Sequence, residues 1–423
     1  MISSIGQKPG SARSPNAVLA MLLVVYIFNF VDRQILSILA APIQKDLGLS
    51  DTQLGLLGGI AFALLYSTLA VPLAWLADRT SRSWVITVSL GLWSLFTALC
   101  GFAHGFWHIF LARLGVGIGE AGGVAPSYAL IADYFPSHRR AFALSIYSLG
   151  IPLGSALGVL AGGYIAATVD WRAAFIVIGL AGLLVAPLFK FVVHDRRESA
   201  AADMPAPRPR LGATARMLAA KPSFWLLAFG AASSSMLGYG LAFWLPSLLQ
   251  RSFGLDLVQT SYFIGAVLLI GGVAGMLFGG WLGDRLGAGD RAWFAWVPAI
   301  AFVIAVPLFA LGIASGKVAI AFVLFLIPQA MAYVWLGPVL SAVQNLVPAG
   351  ERATASSLFL LINNLIGLGG GIYALGALSD ALKPVYGAEA LRWSMLWALG
   401  LYLVAALLMA LAGPHLRRDW AKD

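Results

Sequence analysis

The sequence predicts an all-α polytopic membrane protein with twelve transmembrane helices in two six-helix bundles related by pseudo-two-fold symmetry. Three observations carry that reading. Hydrophobic residues make up 60% of the 423-residue chain and charged residues only 11%, too little polar surface for a soluble domain of this size. Twelve apolar runs are each about 20 residues long, enough to cross a bilayer. One hydrophilic break divides them six and six. Backbone in lipid must satisfy its own hydrogen bonds, so the runs read as helices, and they are too long for barrel strands.

Residues 1–16 are polar and read as a tail, and the run at 17–41 is too long for a signal-peptide core, so it stands as the first span. Runs at 54–77, 84–103, 107–131, 141–167 and 173–193 complete a first bundle, 17–193. The break at 194–222 includes "DRRESAAADMPAPRPRLGATARM", rich in Pro, Ala and Arg and without apolar period, and reads as a linker. Runs at 223–249, 258–282, 292–313, 317–341, 353–379 and 391–413 form the second bundle, 223–413, and 414–423 is a closing tail.

Basic residues orient this topology. With the amino terminus in the cytoplasm, nineteen of the 27 Lys and Arg fall on the cytoplasmic side and six on the far side, with Arg33 and Arg113 inside spans. The positive-inside rule therefore predicts cytoplasmic termini, a cytoplasmic linker and a plasma-membrane location. The net charge of +9 belongs to these loops and needs no nucleic-acid partner. A single cysteine, Cys100, excludes an intrachain disulfide and a thiolate metal cluster. There is no phosphate-binding "GKS/T" loop, no "HExxH" and no nucleophile constellation, so the chain reads as neither an enzyme nor a metal or cofactor protein.

The halves repeat one another. "AWLADRTSR" (74–82) follows the second span and "GWLGDRLGA" (280–288) the eighth; "FPSHRRA" (135–141) precedes the fifth and "VPAGERA" (347–353) the eleventh. Parallel repeats of this kind enclose a site between them. The loops around Asp78, Arg79 and Arg82, and around Asp284 and Arg285, resemble the signature loop of the major facilitator superfamily, with Ala74, Ser81 and Ser83 departing from its pattern. "RLGVGIGEAG" (113–122) resembles that family's fourth-helix motif. "NFVDRQILSILAAPIQKDLGLSDTQLGLL" narrows the resemblance to the spinster-like branch, which exports lysophospholipids and sphingosine-type lipids. The resemblance implies alternating access driven by a proton gradient, an amphipathic lysolipid or sphingolipid-like substrate and action as a monomer. It also implies a cytoplasmic gate in which Asp78 meets the start of the eleventh span and Asp284 that of the fifth. There the positive end of a helix dipole favours a carboxylate. A carrier of small organic anions or drugs is the alternative.

Only four strongly charged residues fall well inside the predicted spans: Asp32, Arg33, Arg113 and Glu120. Intramembrane ionisable residues are costly and mark ion or substrate pathways. Asn29 precedes Asp32 by three positions and Arg33 by four, so it is expected near both, with Ser37 extending the Arg33 face, and this polar stripe is expected to face a cavity, with Asn29 a candidate to line it. Arg113, Gly117 and Glu120 share one face, and the two charges stand roughly 10 Å apart along the axis, so each is expected to reach another helix. Burial disfavours a charged carboxyl and a neighbouring guanidinium favours it, while Arg stays protonated. Proton binding is therefore assigned to Asp32 and Glu120, and switching or anionic-headgroup binding to Arg33 and Arg113. The second half offers uncharged groups as cavity candidates, above all Tyr239, Tyr333 and Asn363. Gly150, Gly154, Gly158 and Gly162 recur every four residues and predict a close helix contact.

Overall fold

The computed structural model describes residues 14–195, 211–287, 289–348 and 351–421, and within these the side chains of Asp78 and Asp284 are not described. Helices are the only regular elements among the described residues. They form twelve spans, numbered here in chain order. Span 1 is Pro15–Leu47, and span 2 comprises Asp51–Gly55, a π-helical turn Leu56–Ile60 and Ala61–Arg79. Span 3 is Arg82–Cys100, span 4 Phe106–Glu120 with Val124–Tyr134, span 5 Ser137–Ser148 with Gly150–Thr168, and span 6 Trp171–Val192. In the second half, span 7 is Pro222–Ser252, span 8 Leu257–Ala266, a π turn Val267–Gly271 and Gly272–Gly287, and span 9 Trp293–Ala314. Span 10 is Val318–Met331 with Leu336–Gln344, span 11 Arg352–Asn363, a π turn Asn364–Gly370 and Gly371–Tyr386, and span 12 Ala390–Ala398 with Gly400–Asp419. A short helix, Leu211–Ala219, ends the linker and packs on the start of span 11.

The expected spans are present, and the additions have local causes. Span 1 runs to Leu47 because Pro42 does not end the helix; the stop is Gly48, whose φ of 64° suits a residue without Cβ. The duplication extends to helix starts that sequence comparison passed over. Ser50 with Gln53 opens span 2, and Asp256 with Gln259 opens span 8, each as a complete capping box. Each of these two spans then carries a π turn at mid-length, a device common at functional sites.

Each half is knit by small residues. Gly150, Gly154, Gly158 and Gly162 of span 5 lie against Tyr26, Ile27, Val31 and Ile35 of span 1, so the ridge packs within one half. Outward positions such as Leu180, Leu184, Leu188 and Phe191 of span 6 are exposed, as a lipid-facing surface requires. The halves meet along spans 1 and 7, 2 and 11, and 5 and 8, toward the face opposite the termini. Pro246 in span 7 leaves the Ala242 carbonyl without its helical donor. The Ser37 hydroxyl of span 1 donates there, 3.0 Å from the carbonyls of Ala242 and Phe243.

Candidate functional site

The four intramembrane charges converge midway through the first half. Span 4 approaches span 2 because Gly117 has no side chain; a Cβ there would lie 2.5 Å from the Phe62 carbonyl oxygen. That approach carries Arg113 and Glu120, one face of span 4, against span 1. Asp32 is 2% exposed, Arg113 2% and Glu120 fully buried. Arg33 Nε donates to Glu120 Oε2 across 2.8 Å. Its guanidinium carbon stands 5.0 Å from the Phe30 ring, 5.0 Å from Phe62 and 4.6 Å from Tyr66, an aromatic collar that suits a desolvated cation. Arg113 also lies over the Phe62 ring, 5.2 Å from its centre.

Adjacent residues of span 1 thus have different partners. Arg33 pairs with Glu120, and Asp32 accepts from the Thr97 hydroxyl of span 3. Asp32 also lies within hydrogen-bond range of the Glu120 carboxyl and in electrostatic range of Arg113 and Arg33. Asn29 is buried as expected from its place on the stripe, yet its Oδ1 has no partner and it bonds neither charged neighbour. Asp32 Oδ2, Glu120 Oε1 and Arg113 Nε and Nη1 are likewise buried without a hydrogen-bond partner. Buried polar atoms are rarely left so, and five of them in one cluster mark a place built to receive protons, water or a ligand. With two carboxyls and two guanidiniums the cluster is neutral when all are ionised, and one added proton makes it cationic.

The second half meets this cluster with tyrosines. Tyr239 of span 7 lies in electrostatic range of Arg33 and Tyr66, and Tyr333 of span 10 in range of Tyr239 and beside Gln329. Asn363 is tied elsewhere: its Oδ1 accepts from Ser235 Oγ at 2.8 Å, within the second half. Sequence reasoning missed Thr97, Phe30, Phe62 and Tyr66. The signal for the last two was present, since they stand four apart on the face of span 2 that turns toward Arg33.

The expected gate residues divide. Arg79 stacks on Trp75 at 3.6 Å and Arg285 on Trp281 at 5.3 Å, the same i, i+4 pairing in both halves. Arg82 is buried; its guanidinium pairs with Asp133 and its backbone N–H donates to Asp195, which ties it to spans 4 and 6 of its own half. Asp195 therefore docks against span 3 although its sequence reads as linker. The docking expected of Asp78 and Asp284 lies outside the described side chains.

A second polar network, unforeseen from the sequence, joins the halves at the opposite face. Asp51 is fully buried there and accepts from Arg251 of span 7 at 2.9 and 3.0 Å, from Gln44 at 2.8 Å and from Ser379 of span 11 at 2.7 Å. Asp380 accepts from the Thr52 N–H at 2.7 Å and the Asp51 N–H at 3.3 Å, so a carboxylate of one half caps the first turn of span 2 in the other.

The chain matches the profile of the Major Facilitator Superfamily over residues 22–371. It is 34% identical to an MFS-type efflux pump of Mycolicibacterium smegmatis over 95% of this chain and 94% of that protein. It is 28% identical to protein spinster homolog 1 of Homo sapiens, covering 89% of this chain and 75% of that one. A solved structure of a bacterial homologue of the human lysosomal transporter spinster, inward-facing and unoccupied, superposes with a TM-score of 0.87 at 28% identity, over 99% of this chain and 100% of the other. The chain therefore belongs to the Major Facilitator Superfamily, as a transporter rather than an enzyme, and within it resembles the spinster-like branch.

Proposed function

We propose that the protein is a proton-coupled secondary transporter that exports amphipathic lysolipid or sphingolipid-like substrates by alternating access, acting as a monomer in the bacterial inner membrane with both termini cytoplasmic. The observation that carries this reading is the neutral quartet of buried Asp32, Arg113 and Glu120 with the partly buried Arg33, open to a single proton. Protonation of a carboxyl there releases a guanidinium from its counter-charge, and a released, desolvated guanidinium is a strong partner for a phosphate headgroup. The aromatic and apolar surroundings of Arg33, continued by Tyr239 and Tyr333, suit the glycerol or sphingoid region and the acyl chain. The inward-facing spinster homologue supports the same reading, because in this chain too the halves meet most closely at the face opposite the termini.

The test is transport in proteoliposomes with lysophosphatidylcholine as probe. Asp32→Asn is expected to abolish flux driven by a pH gradient, and Arg113→Ala to weaken lysolipid binding at least tenfold. Full gradient-driven flux in Asp32→Asn would overturn the proton assignment. A second reading is efflux of small organic anions or drugs; the mycobacterial relative at 34% identity is an efflux pump. Competition separates the two: inhibition of lysophosphatidylcholine flux by other lysolipids but not by aromatic acids supports the first, and gradient-driven flux of an aromatic acid without lysophosphatidylcholine flux supports the second.

A further inference from the structure

The hydroxyl hydrogen of Thr97 has two takers. Thr97 is buried, and its Oγ1 stands 2.5 Å from Asp32 Oδ1 and 2.9 Å from the Trp93 carbonyl, one turn back on span 3. A threonine hydroxyl has one hydrogen to donate and two lone pairs to accept with. Against an ionised Asp32 both neighbours are acceptors. The single hydrogen then serves one of them, and the other contact sets two oxygen lone pairs face to face at hydrogen-bond distance. Against a protonated Asp32 both contacts are hydrogen bonds: Asp32 donates from Oδ1 to Thr97, and Thr97 donates to the Trp93 carbonyl.

We infer that Thr97 is the positioning residue for the transported proton: it holds the proton of Asp32 on Oδ1 in the state that is closed at the opposite face. When that proton leaves, the hydroxyl hydrogen turns from the Trp93 carbonyl to the Asp32 carboxylate. The chain Asp32, Thr97, Trp93 thus has two arrangements, one with both contacts hydrogen-bonded and one with the Asp32–Thr97 bond alone, which differ by one proton and one hydroxyl rotation, and no covalent bond to Thr97 changes. The inference rests on the reading of Asp32 as a proton site.

The groups that face Asp32 leave this role to Thr97. Arg33 turns to Glu120, and Arg113 and Glu120 approach from span 4. Cys100, a turn along span 3 from Thr97, is in range of both Asp32 and Arg113. The Gly150–Thr168 segment of span 5 carries no charged residue, and the charges of spans 6 and 7, Arg172, Lys190 and Arg251, stand near their ends. Among the described residues, Thr97 donates to the Asp32 side chain at Oδ1, and the Glu120 carboxyl also lies within hydrogen-bond range of Asp32.

Infrared titration of the full-length protein in lipid nanodiscs, without substrate, tests the inference. Asp32→Asn identifies the carboxylic-acid band that belongs to this site. Thr97→Val is expected to displace that band in frequency and to move its pH midpoint by about half a unit or more, because the bonds Thr97 makes differ between the acid and its carboxylate. Thr97→Ser, which keeps the hydroxyl, is expected to retain the wild-type band and midpoint. Thr97→Ala, which only removes atoms, takes the place of Thr97→Val if the latter does not purify. An identical acid spectrum in wild type and Asp32→Asn overturns the proton-site reading itself. A genuine Asp32 band that is unmoved in Thr97→Val or Thr97→Ala overturns the role of Thr97 alone.

Discussion

Arg33 and Glu120 form a buried ion pair between spans 1 and 4, 2.8 Å from Nε to Oε2, with the guanidinium collared by three aromatic rings. Removal of one member of such a pair leaves the other uncompensated in low dielectric, at a cost of about 3–5 kcal/mol. Glu120→Ala is therefore expected to lower the thermal midpoint by several degrees, and Glu120→Gln by less because an amide can still accept from Arg33. Replacement of both, Arg33→Met with Glu120→Met, removes the uncompensated charge and is expected to recover most of the loss in a thermal-shift assay while remaining inactive in transport. A double variant no more stable than Glu120→Ala would contradict the pairing.

The Asp51 network makes a prediction about conformation. Arg251 and Ser379 come from the second half, Asp51 and Gln44 from the first. Arg251→Ala leaves the buried carboxylate with only the looser cation Lys383, 4.0 Å away, for as long as the opposite face stays closed, and opening of that face rehydrates it. The penalty, again of order 3–5 kcal/mol, weighs on the closed state alone and shifts the population toward the open one. In a Cys100→Ser background, Ser261→Cys reports this, since Ser261 sits between the halves beside Gly163. Labelling by an impermeant maleimide from the opposite side is expected to rise at least tenfold with Arg251→Ala. Equal labelling would show that the network does not latch this face.

Two glycines separate packing within a half from packing between halves. A Cβ on Gly158 would lie 2.7 Å from the Val31 carbonyl oxygen, within the first half. One on Gly376 would lie 2.3 Å from the Asp51 carbonyl oxygen, across the interface between halves. Overpacking against backbone typically costs about 1–3 kcal/mol. Gly158→Ala is expected to lower the thermal midpoint without changing Ser261→Cys labelling, because spans 1 and 5 move together. Gly376→Ala is expected to raise labelling with a smaller change in midpoint, because opening relieves the clash. The reverse pattern would place the moving interface elsewhere.

Twelve spans and the four buried charges were legible because each is a one-dimensional signal: a run of apolar residues, or a charge within one. Pairing is not such a signal. The helical angle shows that Asp32 and Arg33 point apart, but nothing in an unremarkable threonine of span 3 marks Thr97 as the partner of one and not the other. The π turns of spans 2, 8 and 11 are equally hidden, since one extra backbone residue per turn barely alters an apolar run. Asp51, Arg251 and Asp380 count as boundary charges in any tally by loops. Only the meeting of two halves some two hundred residues apart makes them a network, and the capping signature at Ser50 and Gln53, which starts span 2 at Asp51, lies ahead of the apolar run from 54 and was passed over.

Asp290 and Arg417 make a pH-dependent clamp on the face that carries the termini. Asp290 lies between spans 8 and 9; its Oδ1 accepts from Arg417 Nε and from the Ala292 N–H, each at 3.0 Å, and its Oδ2 accepts from the Arg417 Nη2. The hydrogen bonds from Arg417, with that from Ala292, hold the Asp290 carboxyl down at about 2. An unperturbed Asp titrates near 4. A lowered native value means that the clamp is complete above about 4 and is lost as pH falls toward 2, because protonation then removes a charge the folded state uses. Both side chains face solvent, so salt weakens the pair. Hydrogen exchange at residues 414–420 is therefore expected to accelerate between pH 4 and pH 2 in wild type. In Arg417→Gln it is expected to be fast already at pH 5 and to show no further rise across that window. The same acid-dependent step in Arg417→Gln would assign the docking of span 12 to the Trp420 contacts with Phe294 and Arg291 instead.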